Sequence, residues 1–239
     1  MTYVEGFLVA VPTANKDAYC KHAEEAVPLF KRLGATRLVE AWGDDVPDGK
    51  LTDFRRAVQA KEDETVVFSW IEYPSREVRD AANAGMSDQP EMQQMAEMPF
   101  DGMRMMWSGF KPFLDERGGS GDTGYVDGFV MVIPAGKAEA YQSLARTAAP
   151  IFIEHGALRV VETFDDDLWD GKVTDYKKAV HWQEGETIGF SWIEWPDKAT
   201  RDAGMAAFME DERIKNGPKE MPFDGPRMIL GGFTPVVDQ

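Results

Sequence analysis

The chain has 239 residues, and its 26 basic against 42 acidic side chains leave a formal charge of −16. That charge repels phosphate backbones and anionic bilayers, so neither nucleic acid nor a membrane surface is an expected partner. With 43% apolar and 28% charged residues the composition is that of an ordinary globular protein, long enough for two compact units of about 120 residues each.

The opening stretch "MTYVEGFLVAVP" carries Glu5 and no basic leader. It predicts a strand rather than a signal peptide, and no apolar run nears the roughly 18 residues of a spanning helix, so the expected location is the cytoplasm. "KDAYCKHAEEAVPLFKRLG" places Tyr19, Ala23, Ala26, Phe30 and Leu33 on one helical face before a stop at Gly34. Strands follow at "TRLVEAW" and "TVVFSWIEY", the latter bounded by Pro74. A second helical region is expected from Ser75 to about Glu97, broken near Ser87 to Pro90, and "RMMWSGF" is a last strand.

The whole pattern then returns. Tyr3-Val4 matches Tyr125-Val126, Gly34-Ala35 matches Gly156-Ala157, and "FSWIEYP" matches "FSWIEWP", each 122 positions on; "MPFDG" recurs 123 positions on. The expected organisation is a first repeat over 1–115, a glycine-rich linker over 116–123 and a second repeat over 124–239. The element order β-α-β-β-α-β is the ferredoxin-like arrangement, an α+β fold with helices on one sheet face. In "FSWIEY", Phe68, Trp70 and Glu72 point one way while Ser69, Ile71 and Tyr73 point the other. Large apolar groups on both faces demand a cover for the helix-free one, and the second copy is that cover. Pro28 and Pro150, inside the first helix of each copy, predict a bend there.

"AWGDDVPDGKLTDF" holds four aspartates within ten positions, and "TFDDDLWDGKVTDY" repeats the theme. Pro47 interrupts the alternation a calcium loop needs, and no glutamate closes it. Asp48-Gly49 and Asp170-Gly171 suit tight turns in which glycine takes a positive φ. The stretch is therefore expected to be a solvated excursion between strands, with no metal.

"GFLVAVP", "VEAWGDDVPDGKLTDFRRAVQA", "FSWIEYP" and "MPFDGMRM" resemble a bacterial family, the domain of unknown function DUF1428, and both halves match along nearly their full lengths. The resemblance implies a dimeric α/β barrel built within one chain, two ferredoxin-like repeats packed sheet to sheet. The wider superfamily includes cofactor-free oxygenases, isomerases, lyases and haem enzymes, with pockets between sheet and helices. That range transfers no reaction, because fold alone does not carry function.

Candidate site residues come from what recurs. Cys20 stands alone, which excludes an internal disulfide and a cysteine zinc site, and it suits a small apolar filler. His22, His155 and His181 fall opposite Leu144, Leu33 and Gln59, so none repeats. Arg37/Arg159, Glu40/Glu162, Trp70/Trp192, Glu72/Glu194 and Arg104/Arg227 all do. Each glutamate shares a strand face with bulky apolar groups, where its pKa would rise and suit it to acid or base work. A nearby arginine would keep it ionised in a salt bridge instead. The tryptophans are expected in the core, and the methionines from Met86 to Met106 either line an adaptable pocket or fill core.

The expectation is a small-molecule-binding barrel, extending to a cofactor-independent enzyme, with one pocket per half lined by Glu40, Trp70, Glu72 and their counterparts. No cofactor is predicted, and haem would require an axial ligand. The alternative is a non-catalytic interaction or structural protein with a filled interior and paired glutamates. The internal pseudo-dimer would act as a monomer or associate further into a homodimer.

Overall fold

The computed structural model describes residues 2–86, 89 and 98–239. Within these, the first repeat contributes β1 (Tyr3–Pro12), α1 (Lys16–Arg32), β2 (Arg37–Asp45), α2 (Phe54–Ala57), β3 (Glu64–Tyr73), α3 (Arg76–Met86) and β4 (Met106–Arg117). The second contributes β5 (Tyr125–Ile133), α4 (Ala138–Glu154), β6 (Arg159–Leu168), α5 (Tyr176–Ala179), β7 (Thr187–Trp195), α6 (Lys198–Glu210), α7 (Glu212–Lys215) and β8 (Ile229–Asp238). Gly34 and Gly156, at φ +104° and +103°, close the long helices as expected, since only glycine enters that region freely. The expected break at Ser87 to Pro90 and the helix beyond it fall largely outside the described residues. Among the described residues no helix is long and apolar enough to cross a membrane.

All eight strands join one closed antiparallel barrel in the order β1-β3-β2-β8-β5-β7-β6-β4. The two sheets thus meet face to face and also share both edges, through β2 with β8 and β4 with β6. Closure leaves no bare strand edge. It also explains why β4 runs to Arg117, beyond the expected end of the first repeat: its last residues, Leu114 to Arg117, pair with Glu162 to Arg159 of the other half.

The strand faces fall as the alternation predicts. Phe68, Trp70, Phe190 and Trp192 enter the barrel and are wholly buried. Across its centre, Phe68 and Phe190 stack at 4.5 Å with planes 2° apart, and Trp70 meets Trp192 at 4.6 Å. Gly6 and Gly128 make the room: a Cβ on either would lie 2.9 or 2.8 Å from the phenylalanine ring of the opposite half. Ile71 and Tyr73 face outward, into a cluster with Ala23 and Ala82 of the helices.

The acidic excursions are solvated over most of their length, as expected, but their ends are anchored in the core. Phe54 and Val58 from one, and Tyr176 and Val180 from the other, are buried in the barrel core. Thr52 Oγ1 donates to Ala179 O at 2.6 Å, and Thr174 Oγ1 returns the bond to Ala57 O at 2.6 Å. Asp53 and Asp175 cap the short helices by accepting from Arg56 N and Lys178 N, each at 2.8 Å. Gly49 and Gly171 adopt no positive φ; they are glycine because a Cβ would stand 1.9 Å from the Thr52 or Thr174 carbonyl oxygen. Two other aspartates latch the halves together: Tyr3 OH donates to Asp166 at 3.0 Å and Tyr125 OH to Asp44 at 2.9 Å. Gly109 and Gly232 let those tyrosines pass, their virtual Cβ atoms lying 2.3 and 2.2 Å from the hydroxyl oxygens.

Candidate functional site

The five recurring pairs separate into three places, and Glu40 does not share a sheet face with Trp70 and Glu72. Register decides this. Glu40 pairs across strands with Ser69, which faces away from Trp70 and Glu72.

Glu72 and Glu194 lie at one end of the barrel interior, each beneath its own tryptophan. Trp70 Nε1 donates to Glu72 at 3.2 Å and Trp192 Nε1 to Glu194 at 2.9 Å. Each carboxylate receives the guanidinium of the opposite half. Arg159 forks onto Glu72 at 2.6 and 3.0 Å, and Arg37 onto Glu194 at 2.8 and 2.9 Å. Asp115 and Asp238 complete the network against the outer nitrogens of Arg159 and Arg37. Burial pushes the Glu194 carboxyl up, but the hydrogen bonds and charge of Arg37 outweigh it and hold the group below its usual range. This is the salt-bridged outcome, a clasp between repeats. A polar recess of about 570 Å³ opens outside it, between Arg37, Arg117 and the linker.

Arg104 and Arg227 anchor the "MPFDG" turns. Arg104 forks onto Glu64 at 2.7 and 2.6 Å and also holds Asp101 and the Gln59 carbonyl. Arg227 does the same with Glu186, Asp224 and the His181 carbonyl. Gln59 and His181 occupy left-handed backbone at φ 50° and 52°. His181 is thus a turn residue secured by arginine.

Glu40 and Glu162 are different. They face outward, under α1 and α4, and among the described residues no cation pairs with them. Tyr19 OH donates to Glu40 Oε2 at 2.6 Å, and Ser69 Oγ donates to the same oxygen. In the second half Tyr141 OH and Ser191 Oγ both donate to Glu162 Oε2 at 2.6 Å. Burial pushes both carboxyls up, and the serine and tyrosine hydrogen bonds only partly offset it. Burial and the adjacent carboxylate push Tyr19 and Tyr141 well above the usual phenol range, so both stay proton donors.

In the second half Glu162 and Tyr141 meet empty space. A cavity of about 550 Å³ lies between the outer sheet face, α4, α6 and α7, with Glu162 and Tyr141 in its lining. Phe129, Met131, Leu144, Phe208, Phe223 and Met228 supply apolar wall. The first-half counterparts of its cover include residues 87, 88 and 90–97, which lie outside the described residues, as do Met92 and Met95. The other methionines of that expected cluster scatter: Met98 and Met103 are exposed, while Met106 is inside the barrel. Among the described residues no group of three or more His, Cys, Asp or Glu side chains is placed to hold a metal ion.

Sequence reasoning singled out Glu40 and Glu162 but missed their tyrosine and serine partners. The signal was present, because Tyr19/Tyr141 and Ser69/Ser191 recur at the same 122-residue shift as the glutamates.

The sequence model of the family described as "Protein of unknown function (DUF1428)" matches residues 2–102 and 124–225. The uncharacterized protein YbaA of Escherichia coli strain K12 is 62% identical over 117 residues, which is 48% of this chain and 100% of that protein. A solved structure from Fusobacterium nucleatum, named only provisionally as a monooxygenase, superposes with TM-score 0.61 at 12% identity, over 100% of this chain and 94% of that one. Another so named, from Lactobacillus acidophilus, gives 0.56 at 8% identity over 99% and 95%. At these identities the likeness is one of fold.

Proposed function

Given that the chain belongs to the DUF1428 family in both of its halves, we propose that it is a small-molecule-binding barrel whose working site is the second-half cavity, with Glu162 its proton-exchanging group. One observation carries this reading: a largely apolar 550 Å³ cavity has at its lining a carboxylate held by two hydroxyl donors and, among the described residues, by no ion pair. The volume lies within the range that encloses small organic ligands, and apolar walls with few polar groups are their usual setting. Arg37, Trp70, Glu72, Arg104, Arg159, Trp192, Glu194 and Arg227 leave the ligand site and act as clasp and anchors. Glu40 keeps the same chemistry in the first half.

The test is a thermal-shift panel of neutral aromatic and aliphatic compounds. A ligand at a hundred times its Kd stabilises by about 2.7 kcal/mol, which for a chain of this size raises Tm by roughly 5–10 °C. Ala148→Trp, filling the cavity from α4, should abolish the shift. A panel without shifts, or shifts indifferent to the tryptophan, would overturn the reading. The filled interior and paired glutamates of the barrel favour the alternative, a non-catalytic interaction protein, and a panel without shifts would leave that reading in possession.

A further inference from the structure

We propose that the second-half cavity takes a neutral, largely apolar ketone with an enolisable C–H bond, and that Glu162 Oε1 is the base that accepts its proton. The inference rests on the reading just given and names the class of ligand and the reaction.

The geometry assigns the two oxygens of Glu162 different work. Both local donors, Tyr141 OH and Ser191 Oγ, reach Oε2. Oε2 is thereby committed as an acceptor, and Oε1 is the oxygen on which a proton comes and goes. The other charged side chains lining the cavity pair with one another or outside it: Arg213 with Glu154 and Asp211, and Lys137 with the exposed rim residue Glu220 at 3.7 Å.

These placements select the ligand. A carboxylate or phosphate would bring a second negative charge beside Glu162, which has no ion-pair partner of its own, while Lys137 and Arg213 lie at the half-exposed rim and are already paired. An ammonium would bring three donors to a wall whose one free carboxylate oxygen satisfies a single hydrogen bond, leaving a desolvated cation poorly paired. A neutral ketone brings apolar surface for the phenylalanine and methionine walls and one polar group for the glutamate. Burial of the carboxyl brings it closer to the proton affinity useful for a general base near neutral pH, as in other carboxylates placed in apolar sites.

The step balances without a further reactant. The C–H bond next to the carbonyl breaks, an O–H bond forms on Oε1, and the C–H electron pair passes into the carbonyl to give an enolate. The site carries one negative charge before and after, so no net charge enters the apolar cavity. Return of the proton to the same carbon is exchange; return to a conjugated carbon is isomerisation. Tyr141 and Ser191 are positioning residues, holding Oε2 and turning Oε1 to its task.

The experiment uses the full chain and 2-tetralone in D2O, following loss of the α-proton signals by NMR. Wild type should speed exchange above buffer in a manner that saturates with ketone. Glu162→Gln should lower the catalysed rate about a hundredfold or more, the small end of what a positioned base contributes. Ala148→Trp should lower it as far by filling the cavity. Ser191→Ala removes a hydrogen bond that favours the carboxylate, so it should move the midpoint of the pH–rate profile upward, a readout that a merely structural serine would not move. If 2-tetralone raises Tm but exchange never exceeds buffer, the base assignment fails and the ligand site stands. If neither Tm nor exchange responds to this or any other neutral ketone, both fail. Exchange unaffected by Glu162→Gln also sinks the proposal.

Discussion

Replacing Glu72 by glutamine isolates the clasp between repeats. The side chains of Glu72 and Arg159 are only 6% and 4% exposed, and the two hydrogen bonds between them are 2.6 and 3.0 Å long. Removing one member of a buried pair typically costs about 3–5 kcal/mol, because the remaining charge stays desolvated. Here Arg159 keeps Asp115 at 2.7 and 2.9 Å and a longer contact of 3.5 Å to Glu194. The loss should therefore lie near the low end, about 3 kcal/mol, which for this length lowers Tm by roughly 6–12 °C. Urea denaturation followed by tryptophan fluorescence and by far-ultraviolet circular dichroism measures it, and the two probes should report one shared transition because the halves are interlocked. Pairing Glu72→Leu with Arg159→Met should recover only part of the loss: Asp115 is 29% exposed and can be hydrated alone, but the buried Trp70 Nε1 loses its acceptor, at a cost of about 1–3 kcal/mol. A loss below about 0.5 kcal/mol for Glu72→Gln, the range of an inconsequential surface change, would refute the reasoning.

Gly128→Ala should cost about 1–3 kcal/mol in thermal or urea denaturation, because its Cβ would press on the Phe68 ring at 2.8 Å. A neutral result would mean that the central stack slides freely. Glu162→Gln should stabilise the fold increasingly as pH rises. The folded-state pKa of Glu162 is raised, so the wild-type group weakens the fold as pH climbs from about 4.5 through that higher value. Urea midpoints of both proteins at acid and at mildly alkaline pH test the sign, and a glutamine advantage confined to acid would contradict it.

The duplication and the faces of each strand were legible because strand alternation has a period of two and the repeat is long. What alternation cannot convey is which residues lie opposite one another on neighbouring strands. Glu40 and Glu72 looked alike for that reason, each flanked by large apolar neighbours on its own strand. Only the pairing of Glu40 with Ser69 puts one under a helix and the other inside the barrel. The crossed arginines were illegible for the same cause: Arg37 meets Glu194 across 157 residues, a separation that no local pattern reports. The short helices α2 and α5 were not foreseen, because aspartate, glycine and lysine dominate the stretches that lead to them, yet single aromatic residues, Phe54 and Tyr176, turn them inward. The cavity escaped notice because its wall residues, taken one by one, are those of any helix packed on a sheet.

The shared edges β2–β8 and β4–β6 also bear on how such a chain changes over generations. A lone repeat would leave both outer strands with unspent amide and carbonyl groups, so it would require a companion. When that companion is an identical copy, every mutation is imposed twice. Joined in tandem, the companions are inherited together yet mutate independently, and His22 opposite Leu144 or Cys20 opposite Gln142 shows them already drifting apart around two otherwise matching carboxylates.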